Sequence, residues 1–451
     1  MNQKLMQEKV LTREDVKRLK LTEGDICIPD VYTTIGESAF SFCDNISSVT
    51  IPNSITTIGE SAFSYCYNIR SVKIPDSVTT IEEYAFFRCE SLTDINIPKT
   101  IKTLKCGTFA GCKALKHITI PSTIEAIEGP VAEWPAYAHE ELLMGTFEEC
   151  HSLASIVIPG NITVIGDRTF ADCKSLIEVD IPENVTKIGD SAFAGCSSLT
   201  KVSIPNSVTQ IGAMAFANCK ALKDITLPSG LKRISAKIFE GCSSLERVVI
   251  PNGVESIDSV AFGGCRALAE IVIPDSVTSI GWGAFVSCGS LTSVTIHSGI
   301  TNIENNPFSR CHSLTIINVD EDNLYFSSTD GVLFDKKKEL LIQFPAGKML
   351  EAYTIPDSVK TIGRAAFESC KQLTNVTIPE GVTIIEDSAF EYCSSLAEVK
   401  VPRSVTTIGT HPYSDLYDSF RNCPLLTLSV YPSSHAYNYA VAKGIPYLLV
   451  T

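Results

Sequence analysis

The chain has 451 residues, an apolar fraction of 44% and a formal net charge of −14 at pH 7. The apolar fraction is ordinary for folded proteins and excludes a disordered chain. The negative charge disfavours nucleic acids and anionic membranes as partners, because both bind basic surfaces. No run of 18 apolar residues occurs, so no membrane span is predicted.

Residues 1–25 are predicted to form an N-terminal helical cap. Thr12, followed by Glu14 and Asp15, predicts a short helix over residues 12–20. Charged residues recur through the first 20 positions, and no apolar core of a secretory signal is present. This N-terminal sequence leaves three alternatives open. The protein is cytosolic, it is exported by another route, or a leader has been removed.

A repeat dominates residues 26–430. Fifteen times a Phe is followed three residues later by a Cys, and eleven of the fourteen intervals between these cysteines are 23 residues. A fixed period in this range predicts a solenoid, in which each unit buries its apolar face only by stacking on its neighbours. The column cysteines are Cys43, Cys66, Cys89, Cys112, Cys150, Cys173, Cys196, Cys219, Cys242, Cys265, Cys288, Cys311, Cys370, Cys393 and Cys423.

Residues 198–219, SLTKVSIPNSVTQIGAMAFANC, show one unit in its regular form. Val202 and Ile204 alternate with polar residues, which predicts a short strand with one buried face. Pro205 ends the strand because it has no amide N–H to pair. The later apolar positions recur every three to five residues, which favours extended segments or 3₁₀ turns over an α-helix. Gly212 is predicted to supply a tight bend, and the repeated Phe residues an internal stack.

The 17 cysteines are interpreted as buried thiols. Fifteen occupy one column, where parallel Cα–Cβ vectors oppose the geometry of a disulfide. No Cys or His pair has the spacing of metal ligands, so neither a metal site nor a cofactor is predicted. Asp320, Asp322 and Asn323 loosely resemble a calcium loop, but no closing Glu follows at the required position.

Three insertions interrupt the period, at about residues 128–145, 319–354 and 409–419. In the second, two apolar runs at 331–334 and 340–344 flank a charged turn, which predicts a hairpin. Residues 431–451 are predicted to form a C-terminal cap. It would contain a helix from about Ser434, with Gly444 just beyond its end, and then a last strand.

Residues 273–294, IPDSVTSIGWGAFVSCGSLTSV, resemble the repeat of BspA-like (Treponema pallidum-type) leucine-rich repeat proteins almost letter for letter. The resemblance covers about residues 26–430. It implies an α/β solenoid, that is, a leucine-rich repeat array of 23-residue units with short parallel strands on the concave face. Terminal caps and an irregular hairpin insertion complete the expected architecture.

The resemblance also implies a function in binding. BspA-like proteins are associated with adhesion, so a non-enzymatic protein at the cell surface or secreted, attaching to a host or matrix protein, is the leading hypothesis. An intracellular or injected scaffold that binds a protein partner is the alternative within the same class. An enzyme hidden in an insertion is the alternative from another class, but no insertion combines a nucleophile, a base and an orienting group.

Candidate partner-binding residues lie in the insertions and on the strand face. The outward strand positions are mostly small, polar and mildly acidic, so the face lacks an evident anchor. Aromatic residues in the insertions could anchor a partner or pin their own loops, and the loop around Trp134 is the preferred site. The candidates are Trp134, Tyr137, Tyr413, Tyr417, Asp180, Lys201 and Arg247.

Overall fold

The computed structural model describes residues 8–130, 143–409 and 418–451. These residues form two compact units, which divide between Leu231 and Lys232. Each unit is a parallel β-solenoid in which one turn of the chain contributes two short strands. In most repeat units the front strand includes the Val of the Val-x-Ile pair and ends just before the Ile, as in Lys201–Ser203. The back strand of a repeat unit is a two-residue segment that follows the proline turn.

In the first unit, front strands pair in parallel with front strands and back strands with back strands. Glu178, Val179 and Asp180 lie opposite Lys201, Val202 and Ser203. The front strands are Glu23–Cys27, Asn45–Thr50, Ser71–Lys73, Asp94–Ile95, Glu178–Asp180, Lys201–Ser203 and Asp224–Thr226. The back strands are Val10–Leu11, Thr34–Ile35, Thr57–Ile58, Thr80–Ile81, Thr103–Leu104, Ala126–Ile127, Val164–Ile165, Lys187–Ile188 and Gln210–Ile211.

The second unit repeats this arrangement and adds the predicted hairpin. Its front strands are Arg247–Val249, Ser293–Ile296, Ile316–Val319, Ala352–Thr354, Asn375–Thr377, Glu398–Lys400, Thr427–Val430 and Tyr447–Leu449. Its back strands are Arg233–Ile234, Ser256–Ile257, Ser279–Ile280, Asn302–Ile303, Leu340–Gln343, Thr361–Ile362, Ile384–Ile385 and Thr407–Ile408. The predicted hairpin joins Val332–Asp335 to the antiparallel strand Leu340–Gln343, and Phe326–Thr329 pairs antiparallel with the other edge of Val332–Asp335.

A stack of phenylalanine rings fills the interior of each unit, as predicted. In the first unit, successive column Phe rings from Phe40 to Phe216 lie 4.9–5.8 Å apart between centroids and are nearly parallel. Near-parallel rings at this separation are offset rather than face to face, which suits their quadrupoles. Burying each ring is worth roughly 1.5–3 kcal/mol, so the stack is a main source of stability.

The column cysteines are free thiols, and most are buried beside the Phe stack. Their thiols also donate to the backbone carbonyl of the column Phe in the preceding turn, as Cys66 does to Phe40 O at 3.0 Å and Cys196 to Phe170 O at 3.1 Å. Burial raises the pKa of the Cys66 thiol to about 12. Each of these carbonyls also accepts from the backbone nitrogen of the column Cys in its own turn, as Phe40 O does from Cys43 N at 3.0 Å. The thiol of the next turn is therefore a second, weaker donor to the same oxygen.

The chain turns directly after the glycines that follow the back strands, and the carbonyls of Gly59 and Gly281 each accept from the backbone nitrogen three residues later at 3.2 Å. This bend does not require the special backbone freedom of glycine. Gly212 lies outside the left-handed region of backbone space. A Cβ atom there would lie 2.5 Å from the backbone nitrogen of Asp190 in the preceding turn. These positions need glycine because adjacent turns approach too closely for a side chain. The left-handed conformation occurs instead two residues before the column Phe and one before the column Cys, as at Ser61 and Tyr65.

The two helices of the described residues lie at the predicted places. Arg13–Arg18 begins after Thr12, whose hydroxyl accepts from Asp15 N in a capping box. His435–Lys443 begins after Ser434 and ends at Gly444, which is left-handed. These helices have 6 and 9 residues, so within the described ranges neither could cross a membrane. The limits of the two predicted caps stay a proposal.

Candidate functional site

The predicted aromatic anchors of the first and third insertions lie outside the described residues. Trp134 and Tyr137 belong to residues 131–142, and Tyr413 and Tyr417 to residues 410–417. Their role in binding stays a prediction.

The predicted charged contacts all lie at exposed positions of front strands. Asp180 ends one front strand of the first unit, and Lys201 begins the next. The strand register places Lys201 opposite Glu178 and Asp180 opposite Ser203, so the two predicted residues are offset along the sheet. Arg247 begins a front strand of the second unit and is likewise exposed. Arg247 also borders a groove.

This strand groove, lined by Arg247, Val249, Asn252, Glu270, Val272 and Asp275 among others, has a volume of about 570 Å³. Its floor carries two valines at the position between the buried strand residues, 23 residues apart. Val249 is 70% exposed and Val272 is 79% exposed. The description of this face as small and polar was therefore wrong here. Two exposed apolar side chains therefore lie beside a basic and an acidic residue, Arg247 and Glu270, which is the composition of a contact surface.

An aromatic cluster at the surface of the first unit was not predicted from the sequence. It consists of the exposed Phe42, the partly exposed Tyr65, Tyr67 and Arg88, and the buried Phe87 beneath them. The Phe42 and Tyr65 rings stack with centroids 4.5 Å apart, and the Arg88 guanidinium lies 5.4 Å from the centroid of the Phe87 ring. Phe42 is 58% exposed.

In the sequence, this cluster is indicated by the position that directly precedes each column Cys, where three of its members occur. That residue is left-handed at Phe42, Tyr65 and Arg88, with φ between 54° and 60°. This position lies in the turn before the column Cys, outside the strands and insertions in which candidate contacts were predicted. Tyr and Arg are enriched among residues that dominate binding energy.

The residues that loosely resembled a calcium loop have a structural role. Asn323 is fully buried, and its side-chain amide donates to His297 O at 2.8 Å and to Ile300 O at 3.0 Å. Its carbonyl oxygen accepts from the backbone nitrogens of Tyr325 and Phe326. Asn323 thus fixes the entry to the hairpin. Among the described residues, no three His, Cys, Asp or Glu side chains are grouped so that they could hold a metal ion.

The family model described as "BspA type Leucine rich repeat region (6 copies)" matches residues 19–131, 140–267, 232–330 and 343–437. A leucine-rich repeat protein from Bacteroides ovatus ATCC 8483 is 28% identical, with a TM-score of 0.52 over 90% of this chain and 92% of that one. A leucine rich cell surface protein from Faecalibacterium prausnitzii A2-165 is 23% identical, with a TM-score of 0.37 over 93% and 90%. No curated protein matches the chain.

Proposed function

Because the chain belongs to the BspA-type leucine-rich repeat family, we propose that it is a non-enzymatic scaffold that binds a protein partner through the strand groove. The observation that carries this proposal is the pair of exposed valines, Val249 and Val272, on the floor of the groove. Stacked turns present such positions side by side, and a row of short parallel strands is the surface that solenoids use for binding.

The groove defines the chemistry of the partner. Two adjacent apolar side chains would lose contact with water on binding, and each fully buried valine is worth roughly 1.5–3 kcal/mol. Arg247 and Glu270 lie at equivalent positions of neighbouring turns and would fix the orientation of the partner by charge. An apolar side chain flanked by opposite charges, on an extended segment of the partner, would fit this arrangement.

The proposal extends to adhesion. The association of BspA-like proteins with attachment makes a host or matrix protein at the cell surface the first partner to test. A partner inside a cell is the alternative. A partner at the cell surface and a partner inside a cell would bind the same groove. The groove can therefore be tested before the cellular location of the protein is known.

The test compares the wild-type protein with Val272→Asp and with Thr377→Asp. Thr377 occupies the same exposed strand position outside the groove, so the second variant controls for the added charge. We expect binding to immobilised collagen, laminin or fibronectin, or to a partner identified by affinity capture, to weaken at least tenfold in Val272→Asp and to be unchanged in Thr377→Asp. Equal binding by all three proteins would reject the groove as the contact surface.

A further inference from the structure

A polar notch opens in the second unit where the hairpin enters the solenoid. Leu341 pairs with Ile362 and the Phe344 ring stacks on Phe367 at 5.2 Å, so the hairpin supplies a turn of the solenoid. Only two residues separate Leu341 from Phe344, whereas four separate Ile362 from Phe367. The turn through Phe344 therefore lacks the outward bulge that its neighbours have.

The missing bulge leaves a cavity of about 330 Å³. One wall comes from the turns before the hairpin and the other from the turns after it. The lining residues used below are Trp282, Asn306, Arg310, Glu368, Glu391 and Arg421. The volume lies within the range of about 300–1,000 Å³ that is usual for small-molecule sites. Eight of the twelve lining residues are polar or charged.

Two carboxylates and three guanidinium groups, including that of Arg364, line the notch, and both carboxylates are paired within the protein. Glu368 crosses the notch and accepts from Arg310 Nε at 2.5 Å and from the Ser309 hydroxyl. Glu391 pairs with Arg421 at 3.2 Å. Both carboxylates are about 95% buried, with 5% exposure each. The arginine partners are 45% and 35% exposed, so each pair offers the notch N–H donors whose charge a buried carboxylate compensates. Compensated donors of this kind suit a neutral polar ligand better than an ion.

One polar group in the notch has no partner. Asn306 is 9% exposed, and its Oδ1 atom is buried without a hydrogen bond among the described residues. An unpaired buried carbonyl costs about 1–3 kcal/mol, so a ligand that donates a hydroxyl or amide hydrogen would recover that free energy.

An aromatic ring lies at the rim. Trp282 is 43% exposed, and its backbone nitrogen donates to Glu304 Oε2 at 2.8 Å. Its backbone oxygen accepts from Val260 N at 2.9 Å. The indole therefore stands on an anchored backbone with one part of the ring in solvent, where it can cover the apolar face of a ligand.

We infer that the notch is a saccharide-binding site, in which one sugar ring packs on Trp282 and its hydroxyls bond to Asn306 and to the Arg310–Glu368 and Arg421–Glu391 pairs. Sugars are neutral, carry alternating donors and acceptors, and have an apolar ring face, which matches each property of the notch. Saccharide binding in the notch is separate from protein binding through the strand groove. An experiment can therefore reject one of these two proposals without rejecting the other.

The test uses Trp282 as its own reporter. The chain has two tryptophans, so a Trp134→Phe background leaves Trp282 as the single fluorescent indole. We would titrate this protein with glucose, galactose, N-acetylglucosamine, maltose, cellobiose and lactose at millimolar concentrations, and confirm any binding by calorimetry. We expect a saturable fluorescence change with at least one of these sugars.

Matched variants then assign the site. Asn306 has a φ of 61°, so Asn306→Gly removes the amide and keeps the backbone conformation. Asn218, with a φ of 59° in the first unit, gives the control Asn218→Gly. Affinity should fall at least tenfold in Asn306→Gly and in Trp282→Ala, and stay unchanged in Asn218→Gly. No saturation with any of the sugars, sugar binding unaffected by the notch variants, or saturation only by inorganic phosphate would each overturn the inference.

Discussion

Phe193 and Phe42 both lie in the first unit, but the Phe193 ring is in the interior and the Phe42 ring is at the surface. Phe193 lies in the interior column between Phe170 and Phe216 and has no exposed surface. Phe42 precedes a column Cys in the left-handed conformation and is 58% exposed. The interior column is nearly uniform along the chain, whereas the outward positions change from turn to turn. Stability therefore depends on the repeated residues, and recognition on those that vary.

The largest effect should come from replacing the interior ring. Phe193→Ala is expected to lower the free energy of unfolding by about 3–5 kcal/mol, because the rings on both sides keep the cavity open. Phe42→Ala is the matched control and should change stability by about 0.5 kcal/mol or less. Urea unfolding followed by circular dichroism measures both. Equal destabilisation by the two variants would show that the two positions do not differ as described.

A smaller effect should follow from filling the close contact between turns. Gly212→Ala is expected to destabilise the protein by about 1–3 kcal/mol, since its Cβ would overlap the backbone of Asp190. Gly160→Ala is the control, because a Cβ atom there would have no neighbour within 4 Å. Thermal unfolding of both variants checks the prediction. A neutral Gly212→Ala would restore the interpretation of this residue as a simple bend.

The interior thiols should also make stability depend on pH. Burial raises the pKa of Cys89, Cys112 and Cys173 well above the ordinary value of 9.0. Below about pH 9 the thiols are protonated in both the folded and the unfolded state. Above it only the unfolded thiols ionise, so stability falls by about 1.4 kcal/mol per thiol and pH unit until the folded pKa is reached.

Urea midpoints measured at about pH 8 and about pH 10 would show this loss. Cys173→Ala should make the dependence on pH shallower, whereas Cys27→Ala should not, because Cys27 is exposed. Identical midpoints at the two pH values would contradict burial of the thiols as the source of the effect.

The sequence was sufficient to predict those features that depend on residues near one another or on the repeat. The Phe stack, the strand around Val202, the hairpin and the helix that begins after Ser434 are all of this kind. The predicted N-cap residues of the two helices were also confirmed. An N-cap side chain contacts a backbone nitrogen only two or three residues away, so the local sequence is sufficient to predict it.

What the sequence did not reveal depends on how neighbouring turns meet. The hydrogen bond from Cys196 to the Phe170 carbonyl joins residues 26 positions apart. The need for Gly212 comes from Asp190 in the preceding turn. The notch requires Glu368 to reach Arg310, 58 residues away, across a turn that is two residues short. Such contacts become visible only when the stacking of turns is known in three dimensions.

The interior column is tested most directly by counting reactive thiols. A thiol reagent is expected to label Cys27 rapidly in the native protein, because it is exposed, and Cys43 and Cys423 more slowly, because these two are partly exposed. The other 14 should stay protected, and denaturation without reductant should expose all 17. Rapid labelling of most cysteines in the native state, or fewer than 17 free thiols after denaturation, would contradict a closed interior of free thiols.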